Sequence, residues 1–128
     1  MDKIYRCIAC LGSNCEEEKN IKKAIELMTD SFPDIQWGKT IRTEAEGGNE
    51  GQKYSNKAAI FCTTLPCDKV IRIFKNIESQ CGRTHEKKCN DIIPIDIDLL
   101  QYGEEAIKPD DLKKNYAIKA LLTIPYST

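Results

Sequence analysis

The stretch Ile92-Ile93-Pro94-Ile95-Asp96-Ile97-Asp98-Leu99-Leu100 decides how this chain is read. Two carboxylates interrupt an otherwise apolar run at alternate positions. Successive side chains of a strand point to opposite faces, so Asp96 and Asp98 share one face and Ile95, Ile97 and Leu99 the other. The aliphatic face must be buried, which requires a sheet covered on that side. Two strand rises of about 3.3 Å set the carboxylate stems roughly 6.6 Å apart. That spacing suits one Mg²⁺, or two ions about 3.5–4 Å apart. Two like charges held together out of water are costly, so a cation is expected between them. An amphipathic strand whose polar face simply meets water fits the same pattern.

Working outward, residues 4–11 read as a short buried strand closed by the turn signal Gly12-Ser13-Asn14. Asn14 and Glu17 resemble a capping pair, and Ile21, Ala24, Ile25 and Met28 repeat at helical spacing to about Thr29. Residues 35–43 read as a strand. Residues 44–52, with three glycines and no large apolar side chain, read as a mobile loop. Residues 54–64 make a third strand, and Thr64-Leu65-Pro66 opens a second helix with the stripe Val70, Phe74, Ile77 and Cys81, stopped by Gly82. The Asp-x-Asp strand then runs to Tyr102-Gly103, and residues 116–124 are a candidate final strand. The order β-α-β-β-α-β predicts an α+β, ferredoxin-like split β-α-β fold: an antiparallel sheet with both helices on one face. Asp96 and Asp98 would occupy the other.

A length of 128 residues suits a single domain over 1–128, and 41% hydrophobic with 30% charged residues is the balance of a globular, non-membrane protein. A net charge of −1 argues against nucleic-acid binding through overall charge. The charged start Met1-Asp2-Lys3-Ile4-Tyr5-Arg6 is unlike a signal peptide, and the seven cysteines, an odd number, fit reduced thiols; both point to the cytoplasm. Cys7-Ile8-Ala9-Cys10 matches C-x-x-C, but in a strand its two thiols face opposite ways, so small buried residues are expected rather than a zinc site.

Several separated motifs occur in the order of one family: Leu11-Gly12-Ser13-Asn14, Arg42-Thr43, Tyr54-Ser55-Asn56-Lys57-Ala58-Ala59, Glu78-Ser79-Gln80-Cys81-Gly82-Arg83 and Ile95-Asp96-Ile97-Asp98-Leu99-Leu100. With these the chain resembles the 6-hydroxymethyl-7,8-dihydropterin pyrophosphokinases of folate biosynthesis, over nearly its whole length to about Tyr102. The resemblance implies transfer of diphosphate from ATP to 6-hydroxymethyl-7,8-dihydropterin with release of AMP. It implies that Asp96 and Asp98 hold two Mg²⁺ ions, and that Arg83 is a phosphate-binding, catalytic arginine. Asn56 would pair with the pterin's amide edge, with Thr43 and Tyr54 nearby and Tyr116 stacking on the ring. Glu78, Gln80, Arg83 and His85 would lie on the nucleotide side. The chain also departs from the family. Asn90-Asp91-Ile92-Ile93 stands where a Gly-Pro-Arg segment is usual, and His85 where a second arginine is common. A Pro-His pair and the basic segment around it are missing near Lys113-Lys114. Two other readings stay open: a degenerate relative that binds pterin or nucleotide without efficient transfer, and a ferredoxin-like interaction domain.

Overall fold

A computed structural model describes residues 3–44, 53–83, 92–112 and 124. Strand β1 (Tyr5–Ser13) leads to helix α1 (Glu17–Ser31), then to the short strands β2 (Gln36–Trp37) and β3 (Ile41–Glu44). Strand β4 (Lys53–Thr63), helix α2 (Cys67–Gln80), strands β5 (Asp96–Tyr102) and β6 (Glu105–Ala106) and a short helix α3 (Pro109–Leu112) follow. The six strands form one sheet in the order β2-β4-β1-β5-β6, with β3 also on β4, and every pairing is antiparallel. The expected α+β arrangement, with β1 and β4 central and the two long helices on one face, is the one observed. The candidate strand at residues 116–124 and the loop at 44–52 lie largely outside the described residues.

The core lies between helices and sheet because alternate residues of the strands turn that way. Cys7, Ala9 and Leu11 of β1, Phe61 of β4 and Ile97 and Leu99 of β5 meet Ile21, Ala24 and Met28 of α1 and Val70, Phe74 and Ile77 of α2. Phe32, Phe61 and Phe74 form an aromatic cluster, with the closest centroids 4.2 Å apart. Cys7 and Cys10 are both buried, and none of the described cysteines is in a disulfide. Cys7 enters this core, whereas Cys10 pairs with Asp98 and Ala58 on the opposite face. The second helix stops as expected: Cys81 closes it and Gly82 follows at φ 91°, a left-handed conformation that glycine adopts without steric cost.

Three local readings are corrected. Asn14 does not cap α1: Glu16 occupies the cap position at φ 42° without a side-chain cap bond, and the Asn14 side chain is used elsewhere, as described below. The strand expected over 35–43 is two strands. Trp37 pairs with Ala59 while Ile41 pairs with Asn56, so the register steps by one residue between them, which exchanges the faces. Arg42 therefore reaches Glu17 of α1, at 3.4 Å, and Thr43 sits opposite Tyr54. Strand β5 begins at Asp96 and not at Ile92, because the backbone of Ile93 and Pro94 bonds to Asn14 and to the Ser13 hydroxyl instead of continuing the backbone ladder with β1.

Candidate active site

The site is assembled by register. Gly12 pairs with Asn56 on one side and Asp96 on the other, and Cys10 pairs with Ala58 and Asp98. Directly opposed residues of antiparallel strands share a face, so Asn56, Gly12 and Asp96 form one row and Ala58, Cys10 and Asp98 the next, on the side away from the helices. The small residues in the middle leave a shelf between Asn56 and the carboxylates. This face is not bare to water: Asn56, Ala58 and Cys10 are buried, and each aspartate side chain is 29% exposed.

Tyr54 lies across the first row. A β-carbon on Gly12 would clash with the Tyr54 ring, lying 2.7 Å from its Cζ and closer still to its Cε1 and hydroxyl. The absence of a side chain at Gly12 is what lets the ring rest there. Gly12-Ser13-Asn14 reads in the sequence only as a turn; in the structure the three residues shape the candidate site. Ser13 is fully buried and donates to the Pro94 carbonyl at 2.6 Å. The Asn14 side-chain oxygen accepts from Ile93 N–H at 2.7 Å, and Asn14 N–H donates to the Ile93 carbonyl at 3.0 Å. These bonds fix the segment that delivers Asp96.

The carboxylates are neutralised from within the chain. Arg83 Nη1 lies 2.6 Å from Asp96 Oδ1 and 3.0 Å from Glu78 Oε2. Glu78, on α2 and buried, also accepts from Ile97 N–H at 2.8 Å, which ties the start of β5 to the end of the helix. Burial pushes the Glu78 carboxyl up, with Ile97 N–H and Arg83 opposing and Asp96 adding to the rise. Burial works against the Arg83 cation, but the bond to Asp96 and the charges of Asp96 and Glu78 hold it above its ordinary value. Asp98 Oδ1 meets Lys108 Nζ at 2.6 Å. Its carboxyl is pushed up by burial and by the charge of Asp96, with Lys108 opposing. Each aspartate thus has a cation of its own within the chain, Arg83 on Asp96 and Lys108 on Asp98.

Of the expected site residues, the structure brings Tyr54, Asn56, Arg83, Asp96 and Asp98 together, with Glu78 beneath them as a brace. Gln80 is exposed at the last turn of α2, where its carbonyl accepts from Lys23 Nζ at 2.7 Å. Thr43 is described in its backbone pairing only, and His85 and Tyr116 lie outside the described residues. Lys108 was not expected: ten positions separate it from Asp98, and only the β5–β6 turn makes them neighbours. Beside this pair is a cavity of about 180 Å³ walled by Ile71, Phe74, Leu99 and Ile107, with Lys75 at its rim.

Asp96 and Asp98 offer hard carboxylate oxygens on one face, each with one oxygen on an internal cation, a donor set that fits Mg²⁺. Among the described residues no group of three or more histidine, cysteine or acidic side chains forms a closed metal cage. No helix among the described residues is long and apolar enough to cross a membrane. Compared with known families, residues 8–128 match the model of the 7,8-dihydro-6-hydroxymethylpterin-pyrophosphokinase (HPPK) family.

Proposed function

The chain belongs to the 7,8-dihydro-6-hydroxymethylpterin-pyrophosphokinase family, and from that premise we propose that it transfers diphosphate from ATP to 6-hydroxymethyl-7,8-dihydropterin in folate synthesis. The observation that carries this reading is the double row across β4, β1 and β5, with Asn56 at one end and Asp96 and Asp98 at the other. An amide suits the polar edge of a pterin, and a pair of carboxylates suits metal-bound triphosphate. The Tyr54 ring over Gly12 lies between them, and a flat heterocycle reaching Asn56 displaces or stacks on it.

In the reaction the pterin's hydroxymethyl oxygen forms a bond to the β-phosphorus of ATP. The bond from that phosphorus to the oxygen bridging to the α-phosphorus breaks. AMP leaves with the bridging oxygen, and the hydroxyl proton is lost. The work of the protein is positioning and charge neutralisation. Asp96 and Asp98 would hold two Mg²⁺ ions, which when bound neutralise phosphate oxygens. Arg83 steadies Asp96, and Glu78 steadies both Arg83 and the start of β5. Free thiols among the described cysteines accord with a cytoplasmic setting.

One observation favours a second reading, binding without efficient transfer. Arg83 is committed to Asp96 and Glu78, and Ile93 stands where the family's arginine is usual. Incubating the protein with MgATP and 6-hydroxymethyl-7,8-dihydropterin and measuring AMP decides between them. Turnover dependent on the pterin is expected. Saturable binding of both substrates without AMP selects the second reading, and no binding refutes both.

A further inference from the structure

We propose that Lys108 is a displaceable internal counter-ion of Asp98: it neutralises the carboxylate while no metal is bound, gives it up to an incoming divalent cation, and so sets how much Mg²⁺ the site requires. The inference rests on the reading of Asp96 and Asp98 as metal ligands.

The two aspartates have unequal partners. Arg83 is held on three acceptors: Asp96 Oδ1 at 2.6 Å, Glu78 Oε2 at 3.0 Å and the Ile95 carbonyl at 3.5 Å. Its side chain is 21% exposed, whereas that of Lys108 is 44% exposed. A planar guanidinium fixed by several bonds stays in place; an ammonium on a four-carbon stem exchanges partners readily. Of the two cations, Lys108 is the one built to leave.

The main chain of Lys108 is fixed by the strand it follows. The β1–β5 register shifts between Ile8 and Ala9, which pair with Gln101 and Leu99, so Leu100 is the extra residue of a bulge. The Leu100 carbonyl accepts from both Ile107 N–H, at 2.9 Å, and Lys108 N–H, at 3.2 Å. The Lys108 side chain therefore starts from one set point two residues along β5 from Asp98. The cavity of about 180 Å³ lined by Ile71, Phe74, Leu99 and Ile107 offers apolar walls for the methylene stem once the ammonium lets go. A released Lys108 leaves Asp98 Oδ1 open to the dication.

An ammonium in contact with Asp98 opposes a dication there by occupying a carboxylate oxygen and by repulsion, an effect moderated by solvent because the pair is part-exposed. Divalent-ion affinity of the full chain is measured by electron paramagnetic resonance with Mn²⁺, and by competition with Mg²⁺, for the wild type, Lys108→Met and Lys108→Arg. Lys108→Met is expected to bind Mn²⁺ about tenfold more tightly, with Lys108→Arg weaker than the wild type because a guanidinium leaves the carboxylate less readily. A second readout is thermal stability: Mg²⁺ should raise the melting temperature of Lys108→Met more than that of the wild type, each against its own value in EDTA. Should the methionine variant not fold, Lys108→Gln replaces it. Mn²⁺ bound with equal or weaker affinity by a folded Lys108→Met overturns the inference while leaving the metal reading intact. No Mn²⁺ binding by any variant, with or without ATP, overturns the metal reading and the inference with it.

Discussion

Replacing Gly12 by alanine tests whether the floor of the site is set by the Tyr54 ring. The new methyl would sit 2.7 Å from Tyr54 Cζ, whereas carbon atoms rest at about 3.5–4.0 Å. The ring must therefore retreat by more than about 1 Å, since its Cε1 lies closer still, and the tyrosine is only half-buried. Overpacking of this kind costs about 1–3 kcal/mol. Replacing a strand glycine returns roughly 0.5–1 kcal/mol of backbone entropy, and Gly12 has no positive φ to forbid alanine. The net loss is about 0.5–2 kcal/mol, or roughly 2–8 °C in melting temperature at about 4 °C per kcal/mol. Removing the ring removes the clash, so in a Tyr54→Ala background the same substitution should be neutral or stabilising by up to about 1 kcal/mol. Thermal or urea unfolding of the four proteins of this double-mutant cycle gives the coupling, and pterin binding should weaken in Gly12→Ala. An equal penalty in both backgrounds would refute the reasoning, because the cost would then lie in the backbone of β1.

Three further outcomes follow from the same geometry. Asp98→Asn should abolish Mg²⁺-dependent nucleotide binding while raising or preserving the melting temperature in EDTA at pH 7. The native carboxyl is raised, so its stabilising contribution is complete below its ordinary value of 3.8 and is lost as pH rises through the folded value; a lower melting temperature or unchanged nucleotide affinity contradicts this. Asn56→Ala should weaken pterin binding more than ATP binding by calorimetry, since a buried amide at the far end of the row from Asp96 faces the heterocycle and not the phosphates. Burial pushes the Cys7 thiol from 9.0 up to about 11, so stability is intact below pH 9 and declines as pH rises from there to about 11. Over that window the wild type should lose on the order of 2 kcal/mol more than Cys7→Ala in denaturant titrations, and equal losses would place the thiol in water.

The sequence by itself determined the architecture, because periodicity is local. The alternation around Asp96 and Asp98 settles which face of β5 is buried, and the stripes Ile21-Ala24-Met28 and Val70-Phe74-Ile77 settle which sides of the helices meet it. It also offered candidate site residues through motifs that lie within short stretches of chain, and the fold brings Tyr54, Asn56, Arg83, Asp96 and Asp98 among them together. What it left undecided was every relation between stretches. The one-residue step between Trp37 and Ile41 that sets Thr43 opposite Tyr54 is a tertiary choice made by pairing with β4. Ser13 and Asn14 read as a turn, yet their polar atoms are used 80 residues away on Ile93 and Pro94. Glu78 reads as a nucleotide-side group, and the fold joins it to Arg83 and the amide of Ile97. Lys108 meets Asp98 because the β5–β6 turn folds the chain back and the Leu100 carbonyl holds the amides of Ile107 and Lys108, and no spacing rule links positions across such a turn. Burial pattern is written in single elements; charge pairing and backbone satisfaction are decided between them, where only the packed chain brings donor and acceptor together.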